Sequence, residues 1–210
     1  MAQDFEALRR EMTAGQLEAR NIQSPAVLDA MRAVPRHLFV PDDMRNHAYD
    51  DSPLPIGLGQ TISQPYIVAF MTEQLQPARG MKILEVGTGS GYQAAILAFL
   101  GCDVYTIELH EELAARAKKV FAALGLSGIR VKHGTGYSGW PEPSPFDAII
   151  VTAAPGYVPK ALVSQLKDGG RMIIPVGQTN SVQSLKRVTK KGEKIIEKDL
   201  LPVRFVPMVS

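Results

Sequence analysis

The feature that most constrains the fold is the run of residues 83–92, in which a strongly apolar strand gives way to three glycines at every second position. The glycines are Gly87, Gly89 and Gly91, and Glu85 precedes the first of them by two residues. A strand that ends in a glycine-rich turn is typical of the nucleotide-binding unit of α/β proteins. Glycine at these positions predicts positive φ angles and a close approach of the backbone to a bound nucleoside.

The spacing of the glycines differs from that of dinucleotide-binding proteins. Their fingerprint is G-x-G-x-x-G, which seats a pyrophosphate on the amino end of the following helix. Here the third glycine comes one residue early, and the carboxylate of Glu85 would repel a diphosphate. A ligand with a positive charge and no phosphate is favoured, and S-adenosylmethionine has that chemistry in its sulfonium, its α-ammonium and its free ribose. The alternative is that the glycines only mark a turn between strand and helix.

A second acid supports a nucleoside ligand. Glu108 ends the next predicted strand and lies 21 positions after Gly87. In nucleotide-binding folds, an acid about 20 residues beyond the first glycine accepts hydrogen bonds from the ribose hydroxyls. The competing interpretation is that Glu108 only opens the following helix together with Glu111 and Glu112, since acids in a first turn interact favourably with the helix dipole.

Composition limits the class of protein. The chain has 210 residues, of which 45% are hydrophobic, enough to bury the core of one domain. The net charge of +2 does not favour a nucleic-acid partner, and we interpret the lysines of residues 186–198 as a solvated hairpin. A single cysteine, Cys102, fits a reducing compartment, and no run of about 18 apolar residues predicts a membrane span. We therefore expect a cytoplasmic protein without a membrane or nucleic-acid partner.

No metal site is predicted, since metal-ligand spacing is missing among His37, His47, His110 and His133.

Strand and helix patterns alternate from Met81 onward, which predicts a Rossmann-like α/β fold with a parallel sheet and helices on both faces. The predicted strands are residues 82–86, 103–108, 129–133, 147–152 and 171–176. The predicted helices between them include residues 111–124, and residues 158–166 with Gly169 and Gly170 as the stop.

Segments on both sides of this core complete a single domain of residues 1–210, divided into residues 1–78, 79–178 and 179–210. The first segment is helical by pattern, and Ser24 and Pro25 begin its second helix as cap and first-turn proline. Residues 50–65 are so rich in proline and glycine that we expect a shaped loop without regular structure. The tail predicts a hairpin followed by a last strand at residues 202–207.

Five segments together resemble the protein-L-isoaspartate O-methyltransferase family, in its bacterial form, over nearly the whole chain. They are residues 35–41 (PRHLFVP), 54–65 (LPIGLGQTISQP), the glycine run, 146–154 (FDAIIVTAA) and 203–207 (VRFVP). The glycine run alone indicates only a methyltransferase, whereas the second and last segments narrow the resemblance to this family. The resemblance implies methyl transfer from S-adenosylmethionine to the α-carboxylate of L-isoaspartyl residues in damaged proteins and peptides. The ester then collapses to a succinimide without further enzyme action.

The resemblance also implies roles for individual residues. Ser63 falls on the active-site serine of the family. Contacts with the cofactor are implied for Gln60, Thr61, Ile62, Glu85, Gly87, Thr88, Gly89, Gly91, Glu108, Gly134 and Thr135, and contacts with the substrate for Ser63, Val206 and Pro207. An α-carboxylate is already ionised near pH 7, so Ser63 would orient the acceptor rather than act as a base or nucleophile. From spacing alone, a serine two residues before Pro65 is better explained as a helix cap, and both roles can coexist.

One position departs from the family pattern. After the third strand the family has Gly-Asp-Gly, with the acid placed to meet the adenine amino group, whereas this chain has Gly134, Thr135 and Gly136. Threonine keeps an acceptor oxygen but loses the charge and some reach. Recognition of adenine is therefore expected to differ at this point.

Two other functions stay open at this stage. The chain could be a methyltransferase for another acceptor, a small molecule or RNA, because a fold does not determine the acceptor. An RNA enzyme would be expected to show a basic stripe with aromatic residues, which the sequence lacks. The chain could also bind cofactor or peptide without transferring a methyl group, which the threonine at position 135 mildly favours. A dehydrogenase is disfavoured by the glycine spacing and by Glu85.

Overall fold

Helices and strands alternate along most of the chain. The computed structural model describes residues 4–209. Its helices are α1 Phe5–Met12, α2 Pro25–Ala33, α3 Pro65–Leu75, α4 Tyr92–Phe99, α5 Glu111–Ala123 and α6 Lys160–Ser164. Its strands are β1 Leu54–Gly57, β2 Gln60–Ile62, β3 Lys82–Val86, β4 Asp103–Glu108, β5 Arg130–His133, β6 Phe146–Val151, β7 Leu166–Val176, β8 Gln183–Lys191 and β9 Lys194–Val203.

The main sheet has seven strands in the order β5-β4-β3-β6-β7-β8-β9. The strands β3 to β7 are parallel, whereas β8 and β9 form an antiparallel hairpin on the edge of β7. The chain builds outward from β3 through β4 to β5 and then returns to place β6 on the other side of β3. This reversal creates the crevice in which doubly wound folds bind ligands. The predicted Rossmann-like α/β class is confirmed.

Buried apolar residues form two clusters, one on each face of the sheet. The larger cluster includes Met31, Ile83 and Phe121, and it joins the sheet to helices α1 to α5. The smaller cluster surrounds Phe146 beneath α6 and the turn at residues 136–140. Helices therefore cover both faces, and the N-terminal helices contribute to the same core as the sheet.

The start of α2 follows the predicted local rules. The hydroxyl of Ser24 accepts a hydrogen bond from the backbone N–H of Val27 at 3.4 Å, and Pro25 occupies the first turn. A side-chain acceptor satisfies one of the N–H groups that the first turn leaves unpaired, and proline has no N–H to leave unpaired. The prediction of a helix that begins at Ser24 and Pro25 is confirmed.

The prediction that residues 50–65 lack regular structure was wrong. The strands β1 and β2 pair within this segment as a short antiparallel hairpin. Its turn is made by Gly57, Leu58 and Gly59, whose φ angles are 93°, 53° and 69°. Leu54 and Ile56 are buried while the intervening Pro55 is exposed, so the strand alternation is present. The glycines make the turn of a hairpin here instead of preventing regular structure.

Two further element predictions were wrong in extent. The helix expected at residues 158–166 ends at Ser164, because Leu166 already pairs with Phe146 as the start of β7. Gly169 and Gly170 consequently lie inside a strand. The expected last strand at residues 202–207 is also absent as a separate element, since β9 ends at Val203 and Pro207 makes one isolated bridge to Ala154. Prolines cannot donate to a β ladder, which limits pairing in this segment.

Candidate active site

A cleft opens where β3, β4 and β6 end, at the point where the strand order reverses. Its volume is about 880 Å³ when the space open to solvent is counted. The glycine turn after β3, Glu108 at the end of β4 and Thr152 after β6 all line it, together with residues 206–209 of the tail. Ligands of open α/β sheets bind at the carboxyl ends of the strands beside such a switch point.

Most of the predicted contact residues lie in this cleft. They are Gln60, Thr61, Ile62, Ser63, Glu85, Gly87, Thr88, Gly89, Glu108, Gly134, Val206 and Pro207. Gly91 and Thr135 lie outside the lining, although the neighbours Gly134 and Gly136 belong to it. The fold thus brings the hairpin of β1 and β2, the glycine turn, and the tail to one place.

The glycine turn needs its glycines for two physical reasons. Gly87, Gly89 and Gly91 have φ angles of 99°, 51° and 90°, a region that L side chains rarely adopt. A Cβ atom on Gly87 would also lie 2.4 Å from Thr152 Oγ1, and one on Gly91 would lie 2.7 Å from the ring of Phe121. At these two positions a side chain would overlap other residues of the protein, whether or not a ligand is bound.

We expect Gly91→Ala to destabilise the protein by about 1–3 kcal/mol more than Gly125→Ala. Both positions have positive φ angles, 90° and 70°, so the backbone strain is shared. The added methyl group would overlap the ring of Phe121 at position 91, whereas it would meet nothing within 4 Å at position 125. Chemical denaturation of both variants gives the difference in the free energy of unfolding. Equal losses would show that Phe121 moves aside without cost.

Glu108 connects the glycine turn to the start of α5. Its Oε2 accepts a hydrogen bond from the backbone N–H of Gly89 at 2.7 Å, and its Oε1 accepts one from that of His110 at 2.9 Å. The residue is buried at the end of β4, and His110 rather than Glu108 stands at the N-cap of α5. Glu108 is therefore not an acid of the first helical turn. Each carboxylate oxygen can accept a further hydrogen bond.

Glu85 is a fully buried carboxyl group on β3. Its Oε2 accepts a hydrogen bond from the hydroxyl of Thr106 on β4, and its Oε1 has no hydrogen-bond partner among the described residues. Burial raises the pKa of Glu85 to about 8; the hydroxyl of Thr106 and the backbone N–H of Ala94 oppose this rise, and the nearby charge of Glu108 adds to it. A cation beside Oε1 would favour the ionised form.

Ser63 lies between β2 and α3 and does not cap the helix. The N-cap of α3 is Gln64, and no side-chain hydrogen bond caps this helix. The capping interpretation of Ser63 was therefore wrong. Pro65 in the first turn reduces the need for a cap, because it has no N–H to satisfy.

A second groove adjoins the cleft at Ser63. It is lined by the end of the first hairpin, by Ile67 of α3 and by residues 202–206. Four residues line both the cleft and the groove, and they are Thr61, Ser63, Thr152 and Val206. Ser63 is thus at the junction of the cleft and the groove.

The hairpin of β1 and β2 and the residues next to Ser63 are held by contacts with other segments. Arg116 of α5 donates a hydrogen bond to the carbonyl of Ile56 at 2.6 Å. Gln64 donates to Asp51 Oδ1 at 2.8 Å, and Asp51 also pairs with Arg20 at 3.0 Å. Such supporting contacts hold a functional side chain in one geometry.

The tail segment beside Ser63 is held by side-chain and backbone hydrogen bonds. The buried amide of Gln183 donates to the carbonyl of Phe205 at 3.1 Å and accepts from its N–H at 2.7 Å. Ala154 donates to Val206 and accepts from Met208, both at 2.8 Å. Val206 is thereby positioned at the junction of cleft and groove.

Sequence reasoning missed several residues of the site. Thr152 is the most informative, because its hydroxyl donates to the carbonyl of Gly87 at 2.6 Å and borders both spaces. Its position directly after β6 could have predicted a place in the site, since sites form at the carboxyl ends of parallel strands. Other missed lining residues include Ser90, Tyr92, Gln93, His110 and Met208. Within residues 4–209, no group of three or more His, Cys, Asp and Glu side chains could hold a metal ion.

Comparison with known proteins identifies the family. Residues 8–210 match the family model of protein-L-isoaspartate(D-aspartate) O-methyltransferase. The chain belongs to this family. Among its relatives, the protein-L-isoaspartate O-methyltransferase of Opitutus terrae is 55% identical over 95% of this chain and 85% of its own length. The one from a Synechococcus strain is 52% identical over 98% of this chain and 86% of its own.

Solved structures of the protein-L-isoaspartate O-methyltransferase family share the fold. One aligns with a TM-score of 0.89 at 29% identity, covering 96% of this chain and 66% of that chain. A Plasmodium falciparum structure whose description names the same family, in complex with S-adenosyl-L-homocysteine, aligns with a TM-score of 0.84 at 26% identity and covers 99% of both chains. The family predicted from the five sequence segments is confirmed.

Proposed function

We propose that this protein transfers the methyl group of S-adenosylmethionine to the α-carboxylate of L-isoaspartyl residues in damaged proteins and peptides, which initiates repair through a succinimide. The observation that carries the proposal is the meeting of cleft and groove at Ser63. A cofactor in the cleft and a peptide in the groove would place the methyl group and the acceptor oxygen in contact at this junction. Alignment of reacting atoms accounts for a large part of catalysis in such transfers.

The residues of the cleft fit this cofactor. The unpartnered Oε1 of buried Glu85 suits a cationic group, and the carboxylate of Glu108 suits ribose hydroxyls. Among the described residues that line the cleft there is no lysine or arginine, side chains that often pair with phosphate groups. The Plasmodium falciparum neighbour holds S-adenosyl-L-homocysteine, the demethylated form of the same cofactor.

The protein's part in the reaction is to orient the acceptor. When bound, S-adenosylmethionine supplies an electrophilic methyl group on a sulfonium centre. The acceptor carboxylate is ionised near pH 7, so no side chain needs to remove a proton. The described lining of the groove contains no histidine, aspartate or glutamate, which agrees with that requirement. Ser63 then serves by donating a hydrogen bond that aims one carboxylate oxygen at the methyl carbon.

Paired peptides test the proposal directly. An isoaspartyl peptide is expected to accept methyl groups from labelled cofactor about a hundredfold more efficiently than its aspartyl twin, roughly 2.7 kcal/mol of transition-state discrimination. Equal rates on both peptides, or turnover on RNA alone, would mean a different acceptor. Cofactor binding without any transfer would favour a binding protein that has lost the activity.

We also propose a cytoplasmic location and no nucleic-acid partner. Cys102 is a free thiol, as expected in a reducing compartment. The basic hairpin is partly neutralised, since Lys186 pairs with Glu197 and Asp199 at 3.1 and 3.2 Å. No helix within residues 4–209 is long and apolar enough to cross a membrane.

Thr135→Asp is expected to tighten binding of S-adenosylmethionine by about 1 kcal/mol, because a charged acceptor binds the adenine amino group more strongly than a neutral one. The Oγ1 of Thr135 is buried without a hydrogen-bond partner, which supports a role for this atom in the bound state. Calorimetry with the adenosyl cofactor and its inosyl analogue measures the effect, since the analogue replaces the amino group by a carbonyl. Equal discrimination by variant and parent would place residue 135 away from the base. A loss of stability would show that the buried carboxylate finds no partner.

A further inference from the structure

A chain of hydroxyl groups runs through the sheet from Glu85 to the glycine turn. Thr106 lies opposite Glu85 in the β3–β4 register and donates a hydrogen bond to its Oε2. The Oγ1 atom of Thr106 is also 2.6 Å from that of Thr88. All three side chains are buried, and Glu85 and Thr88 line the cleft whereas Thr106 does not. Thr106 can therefore act on a ligand only through its two neighbours.

The hydrogen bonds in this chain of hydroxyl groups can be donated in either of two directions, because each threonine hydroxyl has one proton and can also accept. When Glu85 is ionised it only accepts, so Thr106 donates to Glu85 and Thr88 donates to Thr106. When Glu85 carries a proton on Oε2 it can donate to Thr106, which then donates to Thr88. A proton on Oε2 thus lets the Thr88 hydroxyl point its proton away from Thr106, whereas ionisation of Glu85 directs it toward Thr106.

The surroundings of Glu85 contain no compensating cation within residues 4–209. Ile150, its neighbour in the β3–β6 register, is apolar. Tyr92 of α4 is neutral, and Arg36 lies over the Tyr92 ring, 5.0 Å from its centroid, without an ion pair to Glu85. The charged group that acts on Glu85 is Glu108, which disfavours a second negative charge. In such a place the protonated form of a carboxyl group is favoured until a cation arrives.

We propose that Thr106 is a positioning residue of the cofactor site, and that binding of the cationic cofactor expels a proton from Glu85 to solvent as the chain from Glu85 to Thr88 reverses its polarity. The inference rests on the proposed function, but it concerns the cofactor alone. The proton leaves the carboxyl oxygen for the buffer, and the carboxylate that remains pairs with the cation. The hydroxyl of Thr106 stabilises this ionised form by donating to it.

The affinity for the cofactor should depend on pH in a defined direction. Burial raises the pKa of Glu85 in the free protein to about 8. Below that pH the free site holds a proton that must leave on binding, so cofactor affinity should fall by up to about tenfold for each pH unit of acidification. Above that pH the affinity should level off. Cofactor binding to Glu85→Gln should lack this dependence.

Calorimetry without any acceptor tests the proposal. S-adenosylmethionine and S-adenosyl-L-homocysteine are titrated at pH 6.5 into buffers with different enthalpies of ionisation, which counts the protons exchanged. The parent protein is expected to release close to one proton per cofactor, and Glu85→Gln none. Release with both ligands would identify the α-ammonium as the cation that Glu85 meets, and release with S-adenosylmethionine alone would identify the sulfonium.

Two variants of Thr106 isolate its role. Thr106→Val keeps the shape and removes the hydroxyl, so it should weaken binding about tenfold and move the pH at which affinity levels off to a higher value. Thr106→Ser should match the parent in both respects. Weaker binding by the valine variant with an unshifted pH profile would overturn the positioning role. Thermal melts show which variants fold. If Thr106→Val does not fold, the proposal is tested by comparing the parent with Thr106→Ser and Glu85→Gln.

The proton count also separates this inference from the proposed function. The absence of proton release from the parent, or equal release from Glu85→Gln, would overturn the inference even if isoaspartyl peptides are methylated. Proton release together with no methylation of isoaspartyl peptides would overturn the proposed acceptor and leave the inference standing. Failure of the parent to bind either ligand would overturn both.

Discussion

Ser63→Ala is expected to slow methyl transfer to an isoaspartyl peptide by about tenfold to a thousandfold, while the affinity for S-adenosylmethionine changes much less. Ser63 lines both the cleft and the groove, and its hydroxyl does not cap α3. Removal of the hydroxyl should therefore impair the alignment of the acceptor and change the free energy of unfolding only slightly. Steady-state kinetics with the peptide, calorimetry with the cofactor and a thermal melt measure the three quantities on one preparation.

Ser24→Ala is the matched control for this variant. Its hydroxyl does cap a helix, by accepting from the N–H of Val27 at 3.4 Å, and it lies outside both the cleft and the groove. We expect this control to lose about 1 kcal/mol of stability and to keep its rate of transfer. If Ser63→Ala showed the same pattern as Ser24→Ala, the serine would be a structural residue and its proposed role in orientation would fail.

Glu108→Ala is expected to weaken binding of S-adenosylmethionine and of S-adenosyl-L-homocysteine alike, by about 3 kcal/mol or roughly 150-fold. The two ligands carry the same ribose, and two charge-assisted hydrogen bonds to its hydroxyls would be lost. The variant should also affect stability, because the N–H groups of Gly89 and His110 would lose their acceptor at the same time. Some loss of stability should accompany the loss of affinity.

Two comparisons separate these effects. Glu111→Ala makes the same change of charge at an exposed position in the first turn of α5, and it should leave the affinity for both ligands unchanged. Glu108→Gln keeps the size of the side chain and one acceptor oxygen, so its affinity should lie between those of the parent and Glu108→Ala. Unchanged binding of both ligands by Glu108→Ala would show that this carboxylate does not meet the ribose.

Local patterns were enough to predict the centre of the fold. The bounds of β3 and β4 are those expected from their apolar runs, and α2 begins at the predicted cap. Such features depend on residues that are near in sequence, namely a buried strand that ends in glycines and a serine followed by proline. The placement of Glu108 at the cleft also followed from its distance along the chain to the glycine turn.

Three other features could not be predicted in the same way. The helix α6 is short because Leu166 pairs with Phe146 of another strand, and residues 54–62 form a hairpin although glycine and proline suggested a loop. The Ser63 hydroxyl looked like a helix cap from its spacing, but the N-cap of α3 is Gln64. The partner of Leu166 is distant in the sequence, whereas the hairpin and the N-cap at Gln64 are local features that composition and spacing assigned wrongly.

The sequence by itself determined the α/β class, the family and twelve of the residues that line the cleft, because each depends on residue type and spacing within individual segments. Only the tertiary structure decided what those residues do to one another. It buries Glu85 without a cation, joins it to Thr88 through Thr106, and packs Phe121 against Gly91. Burial and hydrogen bonding across strands depend on which segments become neighbours, and that is a property of the whole fold.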